Sequence, residues 1–149
     1  MLHQLRDVFA SFQKHDVKYM VIGGIAAILY GVPRATFDLD ILIEATIGNA
    51  QKLLDALLDA KFGTASLTSA QDLADTEITI FEDRVRIDVQ ISTPGIDFEK
   101  AWERRQIMNY HGQEFSVVSK EDLVASKRAA GRKVDLDDVR LLEIDTENR

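Results

Sequence analysis

The chain has 149 residues, of which 46% are hydrophobic, and it carries a formal net charge of −7. This length and apolar content predict a single folded domain over residues 1–149. The acidic balance argues against indiscriminate binding to long nucleic acid, and the absence of cysteine excludes a disulfide framework, a thiol nucleophile and a thiolate zinc site. No apolar run approaches the ~20 residues of a membrane helix, so we expect a cytoplasmic protein that makes no membrane contact.

The first predicted element is an amphipathic helix near residues 2–15, because hydrophobic residues recur there at helical spacing. His3 and His15 are predicted to be surface residues of this helix. Neither has a neighbouring partner that indicates catalysis.

Two glycines then join a predicted strand to a predicted helix. Tyr19–Ile22 are typical of a short buried strand, and residues 25–30 are typical of a helix entered at Gly24. Backbone N–H groups at such a turn can bind an anion, because no Cβ obstructs the approach. Gly23 and Gly24 are therefore candidate phosphate-binding residues.

Two carboxylates separated by one residue follow in the next predicted strand. Alternate residues of a strand share a face, so Asp38 and Asp40 project together, and Arg34 and Thr36 continue their polar row. The apolar positions between them are predicted to face a core: Phe37, Leu39, Ile41 and Ile43. Neighbouring like charges repel, and a bound cation is the usual way to relieve them at neutral pH. The expected ion is Mg²⁺ or Mn²⁺.

The middle of the chain is predicted to contain a helix and then an irregular segment. Leucines at helical spacing indicate a helix over residues 49–61. Residues 64–75 are small and polar, and we expect them to form a mobile loop beside the cleft.

A predicted hairpin supplies a third carboxylate. Residues 76–81 and 84–92 are expected to pair through a turn at Glu82 and Asp83. Asp88 then lies mid-strand on the polar face. If this strand lies beside the strand of the first two acids, three carboxylates face one cleft, which suits one or two Mg²⁺ ions clamping a triphosphate.

The C-terminal part is predicted to hold a short helix, a strand pair and two further helices. The short helix covers residues 97–105, and the strand pair lies within residues 107–118. Residues 119–122 have the pattern of a capping box that opens a helix, and Gly131 is expected to close that helix.

Charged residues surround the junction of the last two helices. Lys127 edges the apolar stripe of its helix, from which it can lean toward the cleft as a peripheral phosphate contact. The basic residues nearby fit a solvated helix face and a phosphate-binding role equally well. Asp135 is predicted to open the last helix, with helix capping as its main role and catalysis as the alternative.

Several of these motifs resemble those of the nucleotidyltransferase superfamily, which has the polymerase-beta-like fold. The matching residues are Ile22-Gly23-Gly24, Asp38-Leu39-Asp40-Ile41 and, as the third acid, Asp88. The sequence pattern is most similar to that of the small bacterial branch that includes the abortive-infection (AbiE-type) toxins. The residues that carry this similarity are Arg34 and Thr36 before the two acids, then Lys127 and Asp135-x-x-Asp138. This resemblance implies an α/β (α+β) fold with a mixed sheet, helices packed on one face, and C-terminal helices.

The resemblance also implies an activity, the transfer of a nucleoside monophosphate from an NTP to an acceptor hydroxyl with release of pyrophosphate. Asp38 and Asp40 are implied to hold the metal, and Asp88 to activate the acceptor through a second metal or as general base. The implied contacts to the triphosphate are Gly23, Gly24, Arg34, Thr36 and Lys127. The acceptor stays open between tRNA or other RNA, a protein and a small molecule, and a cognate toxin or antitoxin is a candidate partner.

Two alternatives accompany that interpretation. One is a non-catalytic nucleotide-binding or antitoxin-type module that keeps the fold for its contacts. The other is a metal-dependent hydrolase or glycosyltransferase with a D-x-D site, which the glycine turn before the acids disfavours.

Overall fold

The chain folds as a mixed sheet covered by helices. The fold is taken from a computed structural model, which describes the backbone of residues 2–147 and the side chains of residues 4–144. The strands in this part of the chain are β1 (Tyr19–Ile22), β2 (Asp38–Ile43), β3 (Ile78–Glu82), β4 (Arg86–Gln90), β5 (Gln106–Tyr110) and β6 (Gln113–Val117). The helices are α1 (Leu2–Lys14), α2 (Gly23–Leu29), α3 (Ile47–Asp59), α4 (Ala70–Asp75), α5 (Phe98–Arg104), α6 (Lys120–Ala130) and α7 (Lys133–Glu147).

The strands follow the order β3-β4-β2-β1-β6-β5 across one sheet. Strand β2 is antiparallel to β1 and parallel to β4, and its register places Asp40 opposite both Ile22 and Asp88. The antiparallel hairpins β3-β4 and β5-β6 form the two edges. The two acid-bearing strands are therefore neighbours, which is the condition for Asp88 to join Asp38 and Asp40 at one cleft.

The core lies under the apolar face of the sheet, against α1 and α3. Leu39 and Ile41 of β2 are buried there, in contrast to the acids with which they alternate. Helix α1 contacts both α3 and β6, and its Phe9 ring stacks on Phe115 with centroids 4.6 Å apart. Burial of apolar surface of this kind is the main force that holds such layers together. Because the core occupies one face, the polar face of β2 and β4 is left for a site.

Short-range signals set most element boundaries as predicted. The hydroxyl of Ser119 accepts a hydrogen bond from the backbone N–H of Asp122 at 3.1 Å, and Gly131 ends α6 in the left-handed conformation at φ 69°. Both predicted caps of α6 are confirmed. Helix α3 begins two residues earlier than predicted, because the hydroxyl of Thr46 caps it by accepting from the N–H of Asn49.

The predicted mobile loop over residues 64–75 is wrong. The segment contains a 3₁₀ helix at Gly63–Leu67 and then α4, which Ser69 caps by accepting from the N–H of Asp72. The small residues of this segment suggested an exposed loop, whereas Ala65 is buried in the core. The segment contributes no residue to the cavity that contains the predicted site.

Two smaller expectations change as well. Phe37 is 80% exposed instead of facing the core, because the pairing of β2 begins only at Asp38. Helix α7 begins at Lys133 rather than at Asp135. His15 is partly exposed and lies 3.0 Å from Asp59, whereas the side chain of His3 is outside the described residues. None of the described helices is long and apolar enough to cross a membrane.

Candidate active site

A cavity of about 410 Å³ lies between the polar face of the sheet and the last two helices. Its wall includes all of the residues that the sequence predicted as catalytic, metal-binding or phosphate-binding. They come from the glycine turn, the segment after α2, strands β2 and β4, and helix α6. The fold therefore brings these residues together, and their individual roles stay predictions.

Three aspartates form one side of the cavity, which we call the acid wall: Asp38, Asp40 and Asp88. The register of β2 with β4 sets Asp40 directly beside Asp88, and it sets Asp38 beside Arg86. The guanidinium of Arg86 donates to both carboxylate oxygens of Asp88, with Nε 2.8 Å from Oδ1, and its Nε lies 3.8 Å from Oδ2 of Asp38. Two of the three acids therefore surround one cation.

The remaining acid of the wall is poorly neutralised. Burial raises the pKa of Asp40 to about 6, and the charges of Asp88 and Asp38 add to this shift. Arg86 and Lys127 act in the opposite direction without cancelling it. A carboxylate that resists ionisation in this way gains from a proton or from a bound cation.

The two glycines of the turn are needed where they stand. Gly23 has φ +68°, and a Cβ on it would overlap the carboxylate of Asp40. A Cβ on Gly24 would lie 2.6 Å from Nη2 of Arg34. Any larger residue would push the acid wall or the guanidinium out of place.

Opposite the acid wall, five charged residues alternate in sign through a series of contacts, which we call the ion-pair chain: Arg34, Asp138, Lys127, Asp135 and Arg132. Nζ of Lys127 lies 2.8 Å from Oδ2 of Asp138 and 3.8 Å from Oδ1 of Asp135. Arg34 joins one end through Nη1, 3.3 Å from Oδ2 of Asp138. Arg132 joins the other end through Nε, 2.7 Å from Oδ2 of Asp135.

This arrangement changes two expectations for the helix junction. Lys127 is not peripheral, since it is only 5% exposed and touches two buried acids. Asp135 makes the predicted capping contact, because its Oδ2 accepts from the backbone N–H of Arg132 at 3.3 Å, but it also lines the cavity. Burial acts to raise the pKa of Asp135, yet the hydrogen bonds and charge of Arg132, together with Lys127, hold it below its usual value.

Sequence reasoning gave no role to Arg86 or Asp138, although each left a signal. Arg86 precedes Asp88 by two positions, so the two share a strand face. Asp138 follows Asp135 by three positions, so the two share a helix face. The partners that these faces meet come from distant parts of the chain, which periodicity alone does not identify.

The acid wall fits a hard divalent cation by its chemistry. Carboxylate oxygens are the ligands that Mg²⁺ and Mn²⁺ prefer, and the raised pKa of Asp40 reflects its burial first and then the repulsion from Asp88 and Asp38. Within the described side chains, no three acidic, histidine or cysteine groups already converge on one point as a ready metal site. Asp88 is turned to Arg86 instead, so a cation shared by all three acids requires that guanidinium to move.

The chain belongs to the family described as nucleotidyltransferase of unknown function (DUF6036), whose model matches residues 2–146. No curated protein matches the chain. Among solved structures, the lincosamide antibiotic adenylyltransferase LnuA in its lincomycin-bound form aligns with a TM-score of 0.58 at 17% identity, covering 96% of each chain. TM1012 of Thermotoga maritima, a protein assigned to the nucleotidyltransferases, aligns with a TM-score of 0.59 at 15% identity, covering 99% of this chain and 93% of its own.

These comparisons confirm the predicted fold class and the resemblance to the nucleotidyltransferases. The two solved structures share the mixed α/β architecture of this chain, and at such low identity they show the fold alone. The finer likeness to the abortive-infection branch stays a prediction.

Proposed function

We propose that the protein is a metal-dependent nucleotidyltransferase that moves a nucleoside monophosphate from an NTP to an acceptor hydroxyl. The observation that carries this proposal is the pairing of opposite chemistries across one cavity. The acid wall faces the ion-pair chain, whose members Arg34 and Lys127 bring positive charge to the same space. A metal-bound triphosphate has both the cation and the phosphate oxygens that such a pair of walls would bind.

Each wall has a distinct part in this proposal. Asp38 and Asp40 would hold Mg²⁺ or Mn²⁺, and Asp88 would join them. Arg34 and Lys127 would bind phosphate oxygens, with Thr36 as a neutral hydroxyl contact and the backbone of Gly23 and Gly24 forming the floor. When bound, the metal would neutralise charge on the phosphates and favour the departure of pyrophosphate.

The acceptor hydroxyl must lose its proton as the new bond to phosphorus forms. We assign Asp88 to receive it, and its position on β4 beside Asp40 at the border of the cavity supports this role. It is 15% exposed at its side chain and held by Arg86, so it would act once that guanidinium turns away.

The class of acceptor is a separate part of the proposal. The neighbour LnuA is a lincosamide adenylyltransferase, so this fold carries transfer to a small molecule in at least one protein. The net charge of −7 also favours a small molecule or a protein over a long polyanionic RNA. A toxin with a cognate antitoxin remains the biological setting that the motif resemblance suggests.

Calorimetry tests the nucleotide site directly. We expect MgATP to bind the wild-type protein, and Asp38→Asn or Asp40→Asn to abolish the metal-dependent part of the affinity. Asp59→Asn is the matched control, since it removes an acid that pairs with Lys14 and His15 away from the cavity. Unchanged MgATP affinity in both site variants would refute the assignment of the acid wall.

A second candidate is a nucleotide-binding module without transfer activity. The contact that favours it is the double hydrogen bond of Arg86 to Asp88, which occupies the residue expected to activate the acceptor. Pyrophosphate release from labelled NTPs, assayed with cell RNA, lysate protein and small hydroxyl compounds, separates the two. Tight MgATP binding without release in any of these mixtures would support the module.

A further inference from the structure

Asp138 is a buried acid that the proposed chemistry has not yet used. We propose that Asp138 is a positioning residue that holds Arg34 and Lys127 at the glycine turn, and this inference rests on the proposed function. The two cations can then bind the triphosphate of the nucleotide together. The acid itself would not touch the nucleotide.

The contacts of Asp138 converge on a single oxygen. Its Oδ2 lies 2.8 Å from Nζ of Lys127 and 3.3 Å from Nη1 of Arg34, and both are ion-pair contacts, since this oxygen makes no hydrogen bond within the described residues. The three side chains come from different parts of the fold, namely α6, α7 and the segment between α2 and β2. Long flexible cations lose much rotamer freedom when they are fixed, and one shared carboxylate fixes both of them before any ligand arrives.

Asp138 acts from behind the cavity wall. Its side chain is 3% exposed, and it is not among the described residues that line the cavity, whereas Arg34 and Lys127 are. A bound nucleotide can therefore meet the two cations but not the acid that orients them. This separation distinguishes positioning from direct binding.

The guanidinium of Arg34 is held only in part. Its Nη2 lies against Gly24, and its buried Nε has no hydrogen-bond partner among the described residues. Buried donors are normally paired, so an unpaired one beside a cavity indicates an acceptor that arrives with a ligand. Phosphate oxygens are such acceptors, and arginine binds them through two N–H groups at once.

Two cations around one carboxylate also suit a polyphosphate better than a single phosphate. Arg34 and Lys127 reach the same oxygen of Asp138 from different segments of the fold, and together they can bind more oxygens of a triphosphate than of a single phosphate. Asp138 would thus help the site to distinguish an NTP from the corresponding NMP. An acid that merely neutralised buried charge would contribute to folding but not to this distinction.

The test compares the affinities of MgATP, AMP and inorganic tripolyphosphate in the wild type, Asp138→Asn and Asp138→Glu. We expect Asp138→Asn to weaken MgATP and tripolyphosphate by at least about tenfold, with little change for AMP, because a buried charge partner is lost from the phosphate contacts. Asp138→Glu keeps the charge but moves the carboxylate by one methylene, so it should restore part of the lost affinity. If Asp138→Asn does not fold, Asp138→Glu alone tests the proposal, because it should still bind MgATP and tripolyphosphate more weakly than the wild type does.

Asp122→Asn is the matched structural control. Asp122 also forms a charge pair between two elements, since it accepts a double hydrogen bond from Arg104 at 3.0 and 2.9 Å, and this pair links α5 to α6 outside the cavity. This variant should lose stability but keep the preference for MgATP over AMP. If both Asp138 variants bind MgATP and tripolyphosphate as the wild type does, the positioning role is wrong and the proposed function stands. If the wild type binds neither ligand, the proposed function fails and the inference fails with it.

Discussion

The acid wall and, apart from Asp138, the ion-pair chain line the same cavity, but they handle buried charge in opposite ways. In the wall, burial and two neighbouring acids raise the pKa of Asp40 to about 6. In the ion-pair chain, burial also acts to raise the pKa of Asp135, but Arg132 and Lys127 outweigh this effect and lower that pKa. Carboxylates on facing sides of one cavity thus differ in whether their charge is already compensated by the protein.

The difference separates the residues that await a ligand from those that are already satisfied. A compensated acid such as Asp135 stabilises the fold as it stands. An uncompensated acid such as Asp40 costs stability until a cation arrives, which is a common trade at functional sites. Removal of a charge from the acid wall should therefore mainly affect catalytic activity. Removal of a charge from the ion-pair chain should mainly affect the stability of the fold.

The largest effect is expected for Asp88→Asn in the acid wall. Loss of a general base typically lowers a rate by about 10² to 10⁴-fold, so we expect turnover to fall within that range or beyond it. MgATP affinity should be largely retained, because Asp38, Asp40 and the cations of the chain remain. Initial rates of pyrophosphate release, measured beside calorimetric affinities, give the two numbers.

The comparison would break if Asp88→Asn transferred nucleotide to the true acceptor at the wild-type rate. Asp88 would then be an ordinary strand-surface residue that Arg86 neutralises. Asp59→Asn serves as the control, because it removes an acid that pairs with Lys14 and His15 away from the cavity.

The next effect concerns stability and lies in the ion-pair chain. Lys127→Met leaves Asp138 and Asp135 buried without their shared cation, and loss of one partner from a buried pair costs about 3 to 5 kcal/mol. Arg86→Met in the wall should cost much less, because the Arg86 side chain is 38% exposed and water screens its pairs. Urea unfolding of both variants measures the contrast, and equal losses would show that the two sides do not differ.

The sequence predicted the acid wall better than the ion-pair chain, and the reason is geometric. A strand repeats every two residues, so Asp38, Asp40 and Asp88 could be assigned to one polar face before their neighbours were known. Their adjacency then required only that β2 and β4 pair, which the sequence left as a condition and the structure shows. Short-range signals likewise predicted both caps of α6.

The ion-pair chain could not be predicted in this way, because its contacts join residues far apart in sequence. The shared contact of Asp138 with Arg34 and Lys127 depends on how α7 packs beside α6 and the segment before β2. Nothing in local spacing distinguishes such a buried acid from a first-turn cap. The helical structure of residues 64–75 was missed because small polar residues are compatible with both a loop and a short helix.

A third prediction uses pH to compare the two kinds of acid. The pKa of Asp40 rises from about 3.9 in the unfolded chain to about 6 in the fold, so its contribution to stability is fully present below pH 4 and is lost as the pH rises to 6. Asp40→Asn should remove this loss and be more stable than the wild type at pH 7 by about 2 to 3 kcal/mol. Asp135→Asn should show the opposite pattern, because a lowered pKa stabilises above the unfolded value and that gain disappears in acid.

Thermal or urea unfolding at several pH values between 3 and 8, without divalent metal, checks both curves. The stability difference between Asp40→Asn and the wild type should grow between about pH 4 and pH 6 and then stay constant. A flat difference would mean that Asp40 is compensated in the same way as Asp135, and the contrast between the two sides would disappear.

The smallest effect expected is a shift in the titration of Asp40 when Arg86 is replaced. Arg86 lowers the pKa of Asp40 while it pairs with Asp88 and Asp38, so Arg86→Gln should move the Asp40 titration to higher pH. Carboxyl carbon chemical shifts followed by NMR report this single group. Arg104→Gln is the control, because that arginine pairs with Asp122 outside the cavity and should leave Asp40 unchanged. An unchanged or lowered pKa of Asp40 in Arg86→Gln would contradict the view that Arg86 partly compensates the wall in place of a metal ion.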